Sequence, residues 1–185
     1  QNGELLEEKF YIDGVTGTFA CLDFSLNEIA LNGEPFTGLN ICKYENGQMM
    51  LSGNVIDGKK EGRFTMFYEN GQKVTELYFI NGKQDGTATS WHNNGQKAQV
   101  ANYKNGEEDG KFIRWYENGQ KMSERTIKDG WEYGKETVWY ENGQKSSEGN
   151  SEEGKAYGKH TSWHENGQIK SVKFFRDGEC LSGDC

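Results

Sequence analysis

A five-residue phrase recurs through this chain at an unvarying interval, and it restricts the fold more than any other feature. Residues 44–48 read Tyr-Glu-Asn-Gly-Gln, and versions follow at 68–72, 92–96, 116–120, 140–144 and 164–168. Their glycines, Gly47, Gly71, Gly95, Gly119, Gly143 and Gly167, stand 24 residues apart without a slip. A fixed period of this size marks an array of supersecondary units, each of which buries its apolar side against its neighbours. A second phrase, Asp/Asn-Gly-Lys-x-Asp/Glu-Gly, alternates with the first at 57–62 and 81–86, and 105–110 (Asn-Gly-Glu-Glu-Asp-Gly) follows. At 129–134 Trp131 replaces the lysine, 153–158 is a weaker copy, and Asp177-Gly178 closes the series.

Each period therefore holds two glycine-marked turns and two short segments. Residues 62–68 (Gly-Arg-Phe-Thr-Met-Phe-Tyr) and 73–80 (Lys-Val-Thr-Glu-Leu-Tyr-Phe-Ile) are rich in aromatic and β-branched side chains, which suit strands. Segments of about seven to nine residues are too short for stable isolated helices. Asn-Gly between strand-like runs predicts a two-residue type I′ turn at each box, with positive φ at both central residues. The predicted fold class is all-β: an elongated single-sheet array of 24-residue β-hairpin repeats, growing by about 10 Å per repeat. Residues 39–185 hold six such repeats. Residues 1–38, which lack the box and carry the chain's only proline, Pro35, read as a degenerate N-terminal repeat and cap continuous with the array in one structural domain. Hydrophobic residues make up only 33% of the chain and aromatics 13%, so aromatic side chains must supply most of the buried area.

Repetition turns positions into rows. Phe67, Trp91, Trp115, Trp139 and Trp163 form one row, and Thr65, Thr89, Ile113, Thr137 and Thr161 a second on the same face. With a two-residue loop, Phe67 would lie opposite Val74, and the matching slots hold Ala98, Met122, Ser146 and Lys170. This face is expected to be the better packed one and to grow more polar toward the C-terminus. Tyr68, His92, Tyr116, Tyr140 and His164 are expected on the other face, beside the row Lys73, Lys97, Lys121, Lys145 that ends at Ile169. The row Val55, Phe79, Tyr103, Ile127, Ser151 and Phe175 is expected to join neighbouring hairpins.

The phrase Tyr/Phe-x-Asn-Gly-Lys-x-Asp-Gly, followed by an aromatic strand and Trp-Tyr-Glu-Asn-Gly-Gln-Lys, resembles the MORN-repeat variant of bacterial proteins, often labelled YwqK-type antitoxins. The likeness spans about residues 42–178, while 1–38 match poorly. It implies an elongated hairpin array and a binding role, with toxin neutralisation as the attached label.

The chemistry in the sequence points away from catalysis. His92 and His164 fill an aromatic slot, and His160 and His164 are four apart on a strand, where they do not converge on a metal. The glutamates at 45, 69, 117, 141 and 165 recur at nearly every box, as a solvated rim does, whereas a catalytic pair would be singular. No catalytic, cofactor-binding or metal motif occurs. A net charge of -8 argues against nucleic acid and anionic lipid. No apolar run is long enough to span a membrane, and membrane contact is expected only through a lost anchor. Cys21, Cys42, Cys180 and Cys185 permit two disulfides without requiring them, and free thiols are the simpler expectation. The chain starts at Gln1, which reads as a processed or trimmed form with room for a lost export signal, and the balance leans to an exported or envelope location, with the cytoplasm as the alternative.

The expected function is thus a non-catalytic repeat scaffold for a protein partner, antitoxin- or immunity-like. Its candidate binding faces are Tyr68, His92, Tyr116, Tyr140 and His164, together with Trp91, Trp115, Trp139 and Trp163. The alternative is an envelope-associated glycan- or lipid-binding protein. Open strand edges leave an edge-to-edge homodimer as a further option.

Overall fold

The computed structural model describes residues 8–12, 15–19, 30–31, 34–183 and 185, with side chains from residue 34 onward. Among these no helix occurs, and the chain divides into two compact units, residues 1–86 and 87–185. In the first unit the strands Gly38–Lys43, Met49–Ile56, Lys59–Phe67 and Lys73–Ile80 pair antiparallel in chain order, and Lys83–Gln84 folds back on the last of them. Ahead of them Glu8–Ile12 pairs with Val15–Phe19, and Ala30–Leu31 with Glu34–Pro35. Much of the expected cap at 1–38 lies outside the described residues. In the second unit the strands Lys97–Lys104, Glu107–Trp115, Lys121–Lys128, Gly134–Trp139, Lys145–Glu152, Lys155–Trp163, Ile169–Arg176 and Glu179–Gly183 pair in the same way. Each unit is an open antiparallel sheet of consecutive hairpins, the all-β repeat architecture that the period predicts.

The two kinds of turn have exchanged roles. Positive φ at both central residues occurs at the return turns: Asp57 (φ 47) with Gly58 (φ 75), Asn105 (φ 53) with Gly106 (φ 94), and likewise at Asp129, Glu153 and Asp177. Pairs such as Lys128↔Trp131 and Glu152↔Lys155 close these as two-residue loops, the type I′ pattern. At the boxes only the glycine is left-handed. Gly71 N–H donates to the Tyr68 carbonyl at 2.8 Å, and Tyr68 N–H to the Gln72 carbonyl at 2.7 Å, a longer loop closed by a glycine bulge. The asparagine side chain explains the difference. Asn70 Oδ1 accepts from the Gln72 N–H at 3.0 Å, and this closure holds the asparagine itself at negative φ.

The longer loop shifts the register by one residue. Met66 pairs with Thr75, but Phe67 then pairs with Lys73 rather than Val74. Trp115 pairs with Lys121, Trp139 with Lys145 and Trp163 with Ile169, so Met122, Ser146 and Lys170 are displaced from the expected slots. The lysine row therefore shares the tryptophan face instead of lying opposite it. Lys121 Nζ stands 5.8 Å from the Trp139 ring centre, and Lys145 Nζ 5.8 Å from that of Trp163.

The better-packed face is the other one, again contrary to expectation. In the first unit Val55, Phe64 and Phe36 form the core with Leu77 and Phe79 against them, and Phe64 meets Phe79 edge-on at 5.2 Å. The Phe64 ring lies over Gly53 on the paired strand, where any Cβ would collide with it. Val55 of one box hairpin thus packs with Phe64 and Phe79 of the next, so these core residues also join neighbouring hairpins. In the second unit Ala101, Phe112 and Ile127 are buried. A single sheet has no second layer to cover them. The guanidinium groups of Arg125 and Arg114 close over the Phe112 ring instead, at 4.5 and 5.1 Å. The drift toward polar side chains also falls on this face: the slot of Phe112 becomes Glu136 and then His160. On the tryptophan face the small residues Thr65, Thr137 and Thr161 are the buried ones.

Among the described residues the cysteines are not free thiols. Cys180 and Cys185 form a disulfide with Cα atoms 6.0 Å apart, and Cys42 is disulfide-bonded to a partner outside the described residues.

Candidate functional site

The recurrent box is first of all a staple between repeats. Tyr44 Oη donates to the Phe67 carbonyl at 2.7 Å, Tyr116 Oη to that of Trp139 at 2.8 Å, and Tyr140 Oη to that of Trp163 at 2.8 Å. His92 stands in the same slot, and its Nε2 reaches the Trp115 carbonyl at 2.9 Å, which calls for a proton on that nitrogen. Two positions along, Asn94, Asn118 and Asn142 donate through Nδ2 to the carbonyls of Glu117, Glu141 and Glu165 at 2.7, 2.9 and 2.9 Å. The glutamine of each box completes the contact. Gln96, Gln120 and Gln144 lay their carboxamides on Gly119, Gly143 and Gly167 of the next box. At the last box Asn166 Nδ2 turns to its own Gln168 Oε1 at 3.3 Å.

This separates the expected site residues into two sets. Tyr68, His92, Tyr116 and Tyr140 are half-buried in the boxes and His164 is exposed, and the polar tips of His92, Tyr116 and Tyr140 are occupied by the staple. Trp91, Trp115, Trp139 and Trp163 are half-buried at strand ends in the second unit, and the last three form a row on one sheet face. Beside that row runs a ladder of ion pairs. Lys121 and Lys111 converge on Glu124 at 2.6 and 3.5 Å, and Lys145 and Lys135 both meet Glu148, the latter at 2.9 Å. The hydrogen bond from Lys121, reinforced by Lys111, holds the Glu124 carboxyl below its ordinary range, and Lys145 with Lys135 does the same at Glu148. The lysines are thereby paired with carboxylates rather than forming an unbroken basic stripe.

One singular cluster escaped the sequence reading. Arg125 Nη1 donates to Glu132 Oε1 at 2.9 Å, and Arg125 Nε is buried without a partner among the described residues. Burial, and then the charge of Glu132, push the Glu136 carboxyl up, while Arg125 and His160 pull it the other way. His160 contacts the Asn150 carbonyl through Nε2 at 2.8 Å and meets Phe175 edge-on at 4.8 Å. The signal was present in the chain: placed in register by 24, the slot reads Phe64, Ala88, Phe112, Glu136, His160. Among the described residues no three His, Cys, Asp or Glu side chains come close enough to share a metal ion.

Comparison with known families agrees with this geometry. The family described as MORN repeat variant matches residues 60–81, 84–105, 108–129, 132–153 and 156–177. The box at 44–48 precedes the first matched segment. A search of curated proteins returned no match. Five consecutive matches, each holding one box with the strands on either side of it and covering together more than half of the chain, make it a member of the MORN repeat variant family.

Proposed function

We propose that the chain is a non-catalytic scaffold that binds a protein partner through the tryptophan face of its second unit, in the manner of an antitoxin or immunity protein. The observation that carries this reading is the row Trp115, Trp139, Trp163, flanked by the charge-compensated ladders on Glu124 and Glu148. Tryptophan is enriched among residues that dominate protein–protein binding energy, and a neutralised polar surround excludes water at little cost. Strict spacing leaves no long loop after residue 40, so a partner meets a broad face rather than a loop cluster. The disulfides favour an oxidising compartment, so the partner is to be sought among exported proteins.

Site-specific photo-crosslinking tests the proposal. A photoreactive residue at position 139 is expected to trap one protein in the source cell, and one at the box position 118 is not. Co-expression should then relieve any toxicity of the trapped protein, with Trp139→Ala abolishing the relief. The absence of a discrete adduct at 139 and 115 would remove the tryptophan face from consideration, and relief that survives Trp139→Ala would remove the antitoxin role.

A further inference from the structure

We propose that the return turns of the second unit form a saccharide-binding cleft, in which Trp131 is the stacking platform for a neutral oligosaccharide. This goes beyond the protein-partner reading and uses a different surface.

Three side chains of the return turns depart from the repeat. The third position of the return phrase is lysine in three copies, Lys59, Lys83 and Lys155, and Trp131 replaces it. The fifth is acidic in the first three copies, Glu61, Asp85 and Asp109, and then becomes Tyr133 and Tyr157. All three aromatics face water: Trp131 is 60% exposed, Tyr133 45% and Tyr157 52%. The array needs none of them, because other copies fold with charged side chains there. Nor do they fill a core, which would have covered them. Their position in neighbouring copies places them along one side of the sheet.

The geometry suits a sugar ring. A cleft of about 600 Å³, within the range of small-ligand sites, is lined by Lys128, Asp129, Trp131, Tyr133, Glu153 and Lys155. The indole rests on Gly154 of the next return turn, where a Cβ would stand 2.7 Å from the ring, so glycine here seats the platform. Lys128 Nζ lies 5.3 Å from the Tyr133 ring centre. Backbone groups at this place are already used: Gly154 N–H donates to the Glu132 carbonyl at 3.0 Å, and Tyr133 N–H to that of Thr126 at 2.9 Å. A peptide adding as a strand would find those groups closed. What the cleft offers is flat aromatic surface, two carboxylates that accept and two ammonium groups that donate. Those are the groups that bind a hexose, whose C–H face stacks on a ring and whose hydroxyls both donate and accept. The lining charges cancel, Lys128 and Lys155 against Asp129 and Glu153, which selects a neutral saccharide over an anionic one. A second hollow, lined by Glu152, Glu153, Lys155, Tyr157 and Asp177 among others, shares two of those residues and lies one repeat along, about 10 Å on. Two adjoining subsites at that spacing call for an oligosaccharide rather than a single ring.

Affinity electrophoresis of the full chain in gels containing laminarin, hydroxyethylcellulose or arabinoxylan, with alginate as the anionic control, tests the proposal, and a printed glycan array widens the neutral set. At least one neutral glycan is expected to bind the wild type. Trp131→Ala should weaken that binding about tenfold, and Tyr157→Ala less, with unchanged thermal unfolding. Trp131→Lys restores the residue of three other copies, keeps the fold and should weaken binding at least as much. The proposal is overturned if no neutral glycan binds, if only alginate does, if Trp131→Lys binds as well as the wild type, or if a proline-rich peptide library and no glycan is captured through Trp131. Crosslinking at position 139 is read separately, so either result can fail without the other.

Discussion

At the scale of single residues, the repeat is held by side chains whose sequence neighbours look interchangeable. Gly143 has φ +82, and a Cβ there would run into the Gln120 carboxamide of the preceding box. Gly62 has φ +70 but open space around its Cα. Gly143→Ala is therefore expected to cost about 1–3 kcal/mol, and Gly62→Ala only the backbone strain, about 1 kcal/mol, in urea unfolding. Adding Gln120→Ala to Gly143→Ala should recover the collision and leave the strain, and a double-mutant cycle measures that difference. Tyr140→Phe removes one hydroxyl and strands the Trp163 carbonyl, for an expected loss of about 1 kcal/mol by the same measurement. His92→Tyr should be tolerated, because a phenol donates to the same kind of carbonyl in the boxes of Tyr116 and Tyr140.

At the scale of elements, paired strands decide which charges help. Glu136 has its carboxyl raised by burial and by Glu132. The folded chain binds that proton more readily than the unfolded one, so stability falls as pH rises from the ordinary carboxylate range through the raised value. Glu136→Gln is expected to raise the thermal midpoint in neutral buffer and to change it little in acid, where both forms are uncharged. Glu148 has the opposite sign. Its carboxyl is lowered by Lys145 and Lys135, and its contribution is present above the ordinary carboxylate range and lost as pH falls through the lowered value. Glu148→Gln should lower the neutral midpoint slightly, by a few tenths of a kcal/mol, because these pairs are open to solvent. Glu136 was legible as an irregularity in its slot. Its environment was not, because Arg125 and Glu132 come from the neighbouring strand and its return turn, and only the register brings them together.

At the scale of the whole molecule, repeat arrays behave as sums of units and their interfaces. Deleting residues 116–139 removes one period and joins Trp115 to Tyr140, keeping the box intact. The shortened chain is expected to unfold cooperatively in urea with a smaller m-value, whereas deleting 116–138 shifts every later side chain to the wrong face and should abolish the transition. The period of 24, the placement of glycine and the alternation of strand residues were written in the chain, and these local signals suffice for an open sheet of hairpins. They did not say which turn is the tight one, because Asn-Gly is compatible with two loops. The choice fell to the asparagine side chain, which closes on the glutamine N–H within the box and donates to a carbonyl of the next. That single preference moved lysine onto the tryptophan face, beside its cross-strand tryptophan. Pairing register is a property of two strands at once, and no one strand carries it.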